Sequence, residues 1–348
     1  MPGRKRKFKK GVITGLCWLG LFLFLAYAYW VVMNNFGIRD FWDPAYVSKA
    51  ELLQARLKEN PGHRLWLILG SSRVDEGLRP GLLVDEMHKE GAPLVFNFGI
   101  GGSDLFRQLV VLRRLRAEGV KPAKVVLEIG GALMDRQTEM FADSPALLVR
   151  ARRDEIDELV ALGGDHQRIR GDWLKSRLDP FYESGMQIPN QALEFRLLPF
   201  PFMTRFESHP YDAWGWYVGP ADPPPLAEYQ RRLDLARKEY ESDFTDQFAI
   251  SPQFDQEMHK TLDYCKAQGF DFALLRMPED RNFQAFYPAH LNELADAYLA
   301  NITKEYHIRM IDARSWFLDP NNFVDGHHLT GNGARDFTLR FYRELSSP

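Results

Sequence analysis

Cysteine is the scarcest reactive side chain in this 348-residue chain, which has two, Cys17 and Cys265. Cys17 falls inside an uncharged run, so Cys265 stands alone in the remainder and no intrachain disulfide framework is open to it. A fold without disulfides must rest on its own core. At 45% hydrophobic and 26% charged residues, the chain has the composition for one sizeable core or two modest ones. A basic surplus is also missing. The formal net charge is −3, and six of the first ten residues are basic (Arg4, Lys5, Arg6, Lys7, Lys9 and Lys10), so setting that tail aside leaves about −9 on everything else. Nucleic-acid binders carry their basic residues on the folded domain, so that class is excluded. No internal repeat occurs.

Charge is absent altogether from "GVITGLCWLGLFLFLAYAYWVVM", residues 11–33. At about 1.5 Å per residue, a helix of this length crosses a hydrocarbon core of about 30 Å. Tyr29 and Trp30 lie near its outer end, where interfacial aromatics sit. The reading is a single-pass anchor in the cytoplasmic (inner) membrane. Residues 1–10 are then a basic cytoplasmic tail, and 34–348 lie in the periplasm or outside the cell. The alternative is a cleaved signal peptide, whose apolar region runs about 7–15 residues and ends at a small-x-small site. This run is longer, and "YAYWVVMNNF" offers no convincing cleavage site, so the anchor is favoured.

Beyond a stalk and a first helix (34–60), short apolar runs alternate with helical spacing. "RLWLILG" (64–70), "PLVFNFG" (93–99), "AKVVLEIGG" (123–131), "GFDFALLRMPE" (269–279) and "IRMIDARSWF" (308–317) read as buried strands. "SDLFRQLVVLRRLRAEG" (103–119) reads as an amphipathic helix with Ser103 or Asp104 placed to cap it. "AHLNELADAYLANITKEY" (289–306) is another helix. Such alternation predicts an α/β fold with a parallel sheet covered on both faces. Residues 136–255 interrupt it, far exceeding the usual connection of about 2–6 residues. They read as an insertion packed over one rim of the sheet.

In an open parallel sheet, ligands bind beyond the carboxyl ends of the strands. "LWLILGSSRVDEGLR" (65–79) puts Ser71, Ser72 and Arg73 at such an end, and Asn97-Phe98-Gly99 and Gly130-Gly131 follow two further strands. After the last strand comes "FVDGHHLTGNGARDF", with Asp325 and His328 three residues apart. A serine hydroxyl becomes a nucleophile when an imidazole accepts its proton. The imidazole in turn needs a carboxylate to fix its tautomer and stabilise its charge. An Asp-x-x-His turn opposite a strand-end serine supplies all three groups.

These segments resemble the SGNH, or GDSL-like, hydrolase superfamily. "GSS" (70–72) matches its first block, with Ser72 in the nucleophile position, and "NFGIGG" (97–102) its second. "DGHH" (325–328) matches the final Asp-x-x-His block. The resemblance spans roughly 64–135 and 269–340. It implies an SGNH (flavodoxin-like) three-layer sandwich around a central parallel sheet, with the long insertion between strands 3 and 4. It also implies that backbone N–H groups of Ser72 and Gly102 serve as oxyanion donors beside a Ser72–His328–Asp325 triad. At the third block the chain departs from the family. Where the family carries Asn after the glycines, this chain reads "LEIGGALMD", with Ala132. Either another donor replaces that side chain, or two N–H groups suffice, or the protein is a weak or silent relative. The anchor, "GSSR" and "DGHHLTGNGA" are similar to membrane-anchored members that act in O-acylation of extracytoplasmic polymers, such as alginate O-acetylation and teichoic-acid D-alanyl transfer proteins. That likeness implies a serine acyltransferase or esterase acting on a cell-surface polysaccharide beside a multi-span membrane acyltransferase, with no cofactor. The rivals are a plain esterase for small acyl esters and a silent subunit that binds glycan or a partner.

Each feature also has a plainer reading. Ser71 or Ser72 could simply cap a helix. Arg73 could hold an anionic substrate group, or pair with a carboxylate at the surface. Glu128 could orient a catalytic group, or pair with Arg276. Asn97 and His327 complete the candidate supporting positions. His327 beside His328 lacks further partners at metal-ligand spacing, so no metal is expected. "GIGGSD" is a poor dinucleotide loop, because Asp104 stands where the third glycine belongs. Trp214, Trp216 and Tyr217 read as local core, with sugar stacking as the alternative. The remaining histidines (63, 88, 166, 209, 259, 290 and 307) read as surface residues.

Overall fold

The structure, a computed structural model, describes residues 2–36, 43–131, 134, 151–161, 166–178, 211–241 and 248–347. The chain forms two compact units. One comprises residues 1–44, 145–156 and 165–206, and the other 45–144, 157–164 and 207–348. The principal elements begin with α1 (Pro2–Phe36), α2 (Pro44–Glu59), β1 (Leu65–Gly70), α3 (Ser72–Gly77), β2 (Leu94–Gly99), α4 (Leu105–Ala117) and β3 (Lys124–Glu128). They continue with α5 (His166–Leu178), α6 (Leu226–Glu239), α7 (Pro252–Ala267), β4 (Asp271–Arg276), α8 (Ala289–Tyr306), β5 (Arg309–Asp312) and α9 (Gly331–Ser346).

In the larger unit the five strands pair in parallel in the order β2-β1-β3-β4-β5. This is the flavodoxin-like order of doubly wound sheets, whose switch point lies between β1 and β3. All residues of β1 and β2 are buried, as expected of strands covered on both faces. Leu65, Leu67 and Leu69 of β1 face a core shared with α2, α4, α7 and α8. Trp66 and Ile68 face the opposite core, shared with α3 and α9. The α/β three-layer expectation therefore holds.

Boundaries shift for local reasons. β3 stops at Glu128, short of the expected 131, where Gly130 and Gly131 take over. β5 stops at Asp312, whose Oδ1 accepts the Arg314 N–H at 3.2 Å and turns the chain. α4 is capped by Asp104, whose carboxylate accepts the Arg107 N–H at 2.8 Å, and Ser103 is buried instead.

The described parts of the insertion that belong to this unit cover the carboxyl rim. The carbonyl of Trp214 accepts the Asn97 N–H (3.1 Å), Tyr217 N–H donates to the Asp75 carbonyl (3.0 Å), and the Pro220 carbonyl accepts the Gly331 N–H (2.8 Å). Gly215, at φ +82°, is required there because a Cβ would overlap the Asn97 carbonyl oxygen. Trp216 is buried and donates its indole N–H to the Glu76 carbonyl at 2.6 Å, with Arg79 stacked on its ring. Trp214 packs against both cores and Tyr217 is half-buried, so these aromatics act as local core.

In the smaller unit, Tyr27 of α1 donates its hydroxyl to the Leu178 carbonyl of α5 at 2.9 Å. Trp173 and Arg177 of α5 donate to the Ala151 carbonyl. Among the described residues one helix is long and apolar enough to cross a membrane, over Val12–Tyr29, and that window is unburied. Neither cysteine is bonded: Cys17 is exposed on α1, and burial pushes the Cys265 thiol up to about 12.

Candidate active site

The turn from β1 into α3 separates the two serines. Ser71 takes an extended backbone (φ −84°, ψ −163°) and its Oγ accepts the Arg73 N–H at 3.2 Å, so Ser71 is the N-cap of α3. Its carbonyl accepts the Asp75 N–H at 3.0 Å. Ser72, at the first helical position, is released from capping. Its Oγ lies 2.7 Å from His328 Nε2.

The partner loop, residues 323–329, is closed by a bridge between Phe323 and Leu329 and by the Val324 N–H on the His328 carbonyl (2.8 Å). Gly326 at its tip has φ +97°, and a Cβ there would lie 2.8 Å from Leu233 of α6. His328 Nδ1 is 2.7 Å from Asp325 Oδ2, while Asp325 Oδ1 accepts the backbone N–H groups of His328 (2.9 Å) and His327 (3.2 Å). Burial alone would raise the Asp325 carboxyl, but the adjoining imidazoles outweigh it and hold it below the usual carboxylate range. Burial likewise opposes charge on His328, yet the Asp325 charge and hydrogen bond overcome this and raise it to about 9. The structure thus brings Ser72, His328 and Asp325 into one hydrogen-bonded line, although 256 positions separate Ser72 from His328.

Gly102 lies in an exposed turn at φ +71°, and a Cβ on the adjacent Gly101 would sit 4.0 Å from the Ser72 Cβ. Neither the Ser72 nor the Gly102 backbone N–H makes a hydrogen bond among the described residues. Gly131 abuts Tyr287 and Leu291. Ala132 lies outside the described residues, as does His209; of the other surface-assigned histidines none is buried.

The supporting positions fall out differently. Arg73 does pair with a carboxylate, but it is buried, 6% exposed, with Nη1 2.6 Å from Glu279 Oε1. The Tyr287 hydroxyl donates to the same oxygen at 2.6 Å, and the guanidinium lies over the Phe283 ring. Glu128 does not pair with Arg276, which is taken by Asp296 and Asp312 from neighbouring elements. Its Oε2 accepts the Ser71 N–H at 2.6 Å and its Oε1 the Ser71 hydroxyl at 3.1 Å. Asn97 does not reach the triad. Its amide donates to the carbonyls of Val74 (2.8 Å) and Leu78 (2.7 Å) and accepts the Gly99 N–H (2.8 Å), fastening α3 to β2.

His327 is buried between the rings of His328 (4.1 Å) and Phe283 (4.7 Å). Burial, then the neighbouring His328 charge, lowers its pKa well below the ordinary histidine value. Asp325, His327 and His328 offer three ligand atoms within 4.8 Å of one another, a spacing compatible with a metal ion. Asp325 and His328 already engage each other there.

Four residues escaped the sequence reading. Asp280 accepts the N–H groups of Asn282 (2.9 Å) and Phe283 (2.8 Å), donates its own N–H to the Gly326 carbonyl (2.8 Å), and is bonded by the Tyr229 hydroxyl of α6. It thereby ties the insertion to the Asp-x-x-His loop. Glu279 and Tyr287 hold Arg73 as described above. The signal was present: "PED" (278–280) puts two carboxylates at the carboxyl end of a strand.

No family model matches this chain, and no curated protein matches it. Among solved structures it is similar to TesA, at 13% identity over 81% of this chain and 98% of that one, with a TM-score of 0.38. Axe2, an acetylxylan esterase from Geobacillus stearothermophilus, is similar at 13% identity over 82% and 95%, with a TM-score of 0.37. LAE5, an alpha/beta hydrolase enzyme from the metagenome of Lake Arreo, Spain, is similar at 13% over 80% and 94%, with a TM-score of 0.35. At that level these likenesses carry no argument about chemistry, which rests on this chain's own residues.

Proposed function

We propose that this chain is a serine-dependent O-acyltransferase or carboxylic ester hydrolase of SGNH type. The observation that supports it is the unbroken line from the Ser72 hydroxyl through His328 to Asp325, with 2.7 Å at each link. Ser72 Oγ attacks the ester carbonyl and passes its proton to His328 Nε2. Asp325 holds the imidazole in its tautomer and stabilises its positive charge. The carbonyl oxygen, now an oxyanion, takes hydrogen bonds from the N–H groups of Ser72 and Gly102. His328 then protonates the departing alkoxide, leaving an acyl group on Ser72. An acceptor hydroxyl or water gives its proton to His328 and attacks the acyl carbonyl, and as the intermediate collapses His328 returns that proton to Ser72 Oγ, restoring the serine.

The finer reading follows the resemblance. Residues 11–33 anchor the protein in the cytoplasmic membrane, the basic tail stays inside, and the catalytic domain works in the periplasm or at the cell surface. The acyl group goes to or from a cell-surface polysaccharide, beside a multi-span membrane acyltransferase. A silent glycan- or partner-binding subunit is the second reading, and Ala132 in the oxyanion Asn position favours it.

The test is p-nitrophenyl acetate hydrolysis by the full-length protein in detergent, with and without oligosaccharide acceptors. Turnover that falls by about 10⁶-fold in Ser72→Ala supports the serine mechanism. Acceleration by acceptor marks a transferase. No turnover and no effect of Ser72→Ala in either format marks the binding subunit.

A further inference from the structure

Glu128 is a buried carboxylate that the acyl-transfer steps do not use. It ends β3, next to Gly70 at the end of β1, and is 6% exposed. Both of its oxygens are directed at one residue, Ser71, through the N–H at 2.6 Å and the hydroxyl at 3.1 Å. The fit is close: a Cβ on Gly70 would overlap the Glu128 carboxylate and lie 2.8 Å from its Cβ. Glu128's own carbonyl is held by the side-chain amide of Gln108 at 2.9 Å, which fixes the strand end that carries the carboxylate.

The consequence lies one residue further on. Ser71 has three polar groups and all are engaged: the N–H by Glu128, the hydroxyl by Glu128 and the Arg73 N–H, and the carbonyl by the Asp75 N–H. The peptide plane joining Ser71 to Ser72 is held at its carbonyl by the Asp75 N–H, and the residue that precedes its C–N bond is held at both its N–H and its side chain by Glu128. That plane carries the Ser72 N–H, which has no partner among the described residues. With Ala132 supplying no side-chain donor, charge stabilisation falls on backbone N–H groups, whose worth depends on being aimed in advance.

We infer that Glu128 is a positioning residue which, by clamping Ser71, aims the Ser72 N–H at the developing oxyanion and holds the nucleophile in register with His328. This rests on the serine acyl-transfer reading. A buried carboxylate suits the task because it accepts two hydrogen bonds from a single residue and gives none away. Burial raises the Glu128 carboxyl above its ordinary range, and the Arg73 guanidinium and the two Ser71 hydrogen bonds act against that rise. Glutamine could still accept the Ser71 N–H, but its NH₂ would face a hydroxyl already accepting from Arg73. The hydroxyl proton would then lose its acceptor.

The test uses the full-length protein in detergent, p-nitrophenyl acetate, and a serine-directed phosphonate that mimics the tetrahedral intermediate. Glu128→Ala is expected to lower kcat and the phosphonate rate constant together by about 10²-fold, the size of effect that slight misplacement of reacting groups produces, with KM unchanged. Glu128→Gln is expected to lose about tenfold, as one charge-assisted hydrogen bond warrants. A Glu128→Ala or Glu128→Gln protein that melts earlier yet keeps wild-type kcat would overturn the inference. A wild-type protein that the phosphonate does not label would overturn the serine reading itself, and the positioning role with it.

Discussion

Two turns leave the carboxyl rim on either side of the switch point, and they offer chemistry very different materials. The turn after β1 carries two hydroxyls and a guanidinium within "GSSR", and nearly every polar atom not needed for reaction is already bonded. The turn after β3 reads Ile129-Gly130-Gly131-Ala132-Leu133-Met134, with no polar side chain at all. In one, side chains act and the backbone is held. In the other, the sequence holds no side-chain donor. The difference teaches that a rim can be asymmetric. One polar residue at the end of β3, Glu128, faces back across the sheet to brace the β1 turn.

The β1-turn serine is activated from the facing Asp325–His328 loop, and removing that charge gives the largest effect expected after Ser72→Ala. Asp325→Asn leaves the loop geometry nearly intact but removes the charge that raises His328. We expect kcat for p-nitrophenyl acetate to drop by about 10⁴-fold. The apparent pKa of the pH–rate profile should fall from about 9 toward the ordinary histidine value.

Refurnishing the poorer side sharpens the contrast. Ala132→Asn introduces the side-chain donor that SGNH-type enzymes carry at this block, and one such donor is worth about 10²–10³ in kcat. A gain of that order, with KM little changed, would place the third block at the oxyanion. An unchanged kcat would show that the two backbone N–H groups carry the charge unaided.

A smaller effect comes from pH alone. The base form of His328 is the minor one until pH reaches about 9, so kcat/KM should climb close to tenfold per unit through the neutral range and level off above 9. Stability runs the other way. Because His328 is raised in the folded state, its contribution is complete below the ordinary histidine pKa of about 6.5 and is lost as pH rises through about 9. The melting temperature should therefore decline by a few degrees across that interval, and by less in His328→Gln. At the acid end, the lowered Asp325 loses its contribution as pH falls below the ordinary aspartate range.

Much of this was legible in the amino-acid order, and for definable reasons. The five strands declare themselves because a buried parallel strand is a short, nearly unbroken apolar run, as in "LWLILG". Ser72, Asp325 and His328 are legible because strand-end placement and the three-residue spacing survive in sequence. What could not be read is long-range pairing between polar groups. Nothing local says that Glu128 grips Ser71 and not Arg276, or that Glu279 closes on Arg73 across 206 positions. Nor does the sequence say that Asp280 couples α6 to the His328 loop, a contact set by where the insertion folds back. The choice of Ser72 over Ser71 rests on the match of "GSS" to its block, and the structure supplies the physical reason. Capping assigns Ser71 to the helix and Ser72 to His328, and that depends on a single backbone turn.

The most direct measurement is therefore peptide mapping of the wild-type protein after reaction with a serine-directed phosphonate. A single adduct on Ser72 is expected, lost in Ser72→Ala and in His328→Ala, and still formed, more slowly, in Ser71→Ala. An adduct on Ser71, or an intact protein with no adduct after prolonged exposure at pH 9, would contradict it.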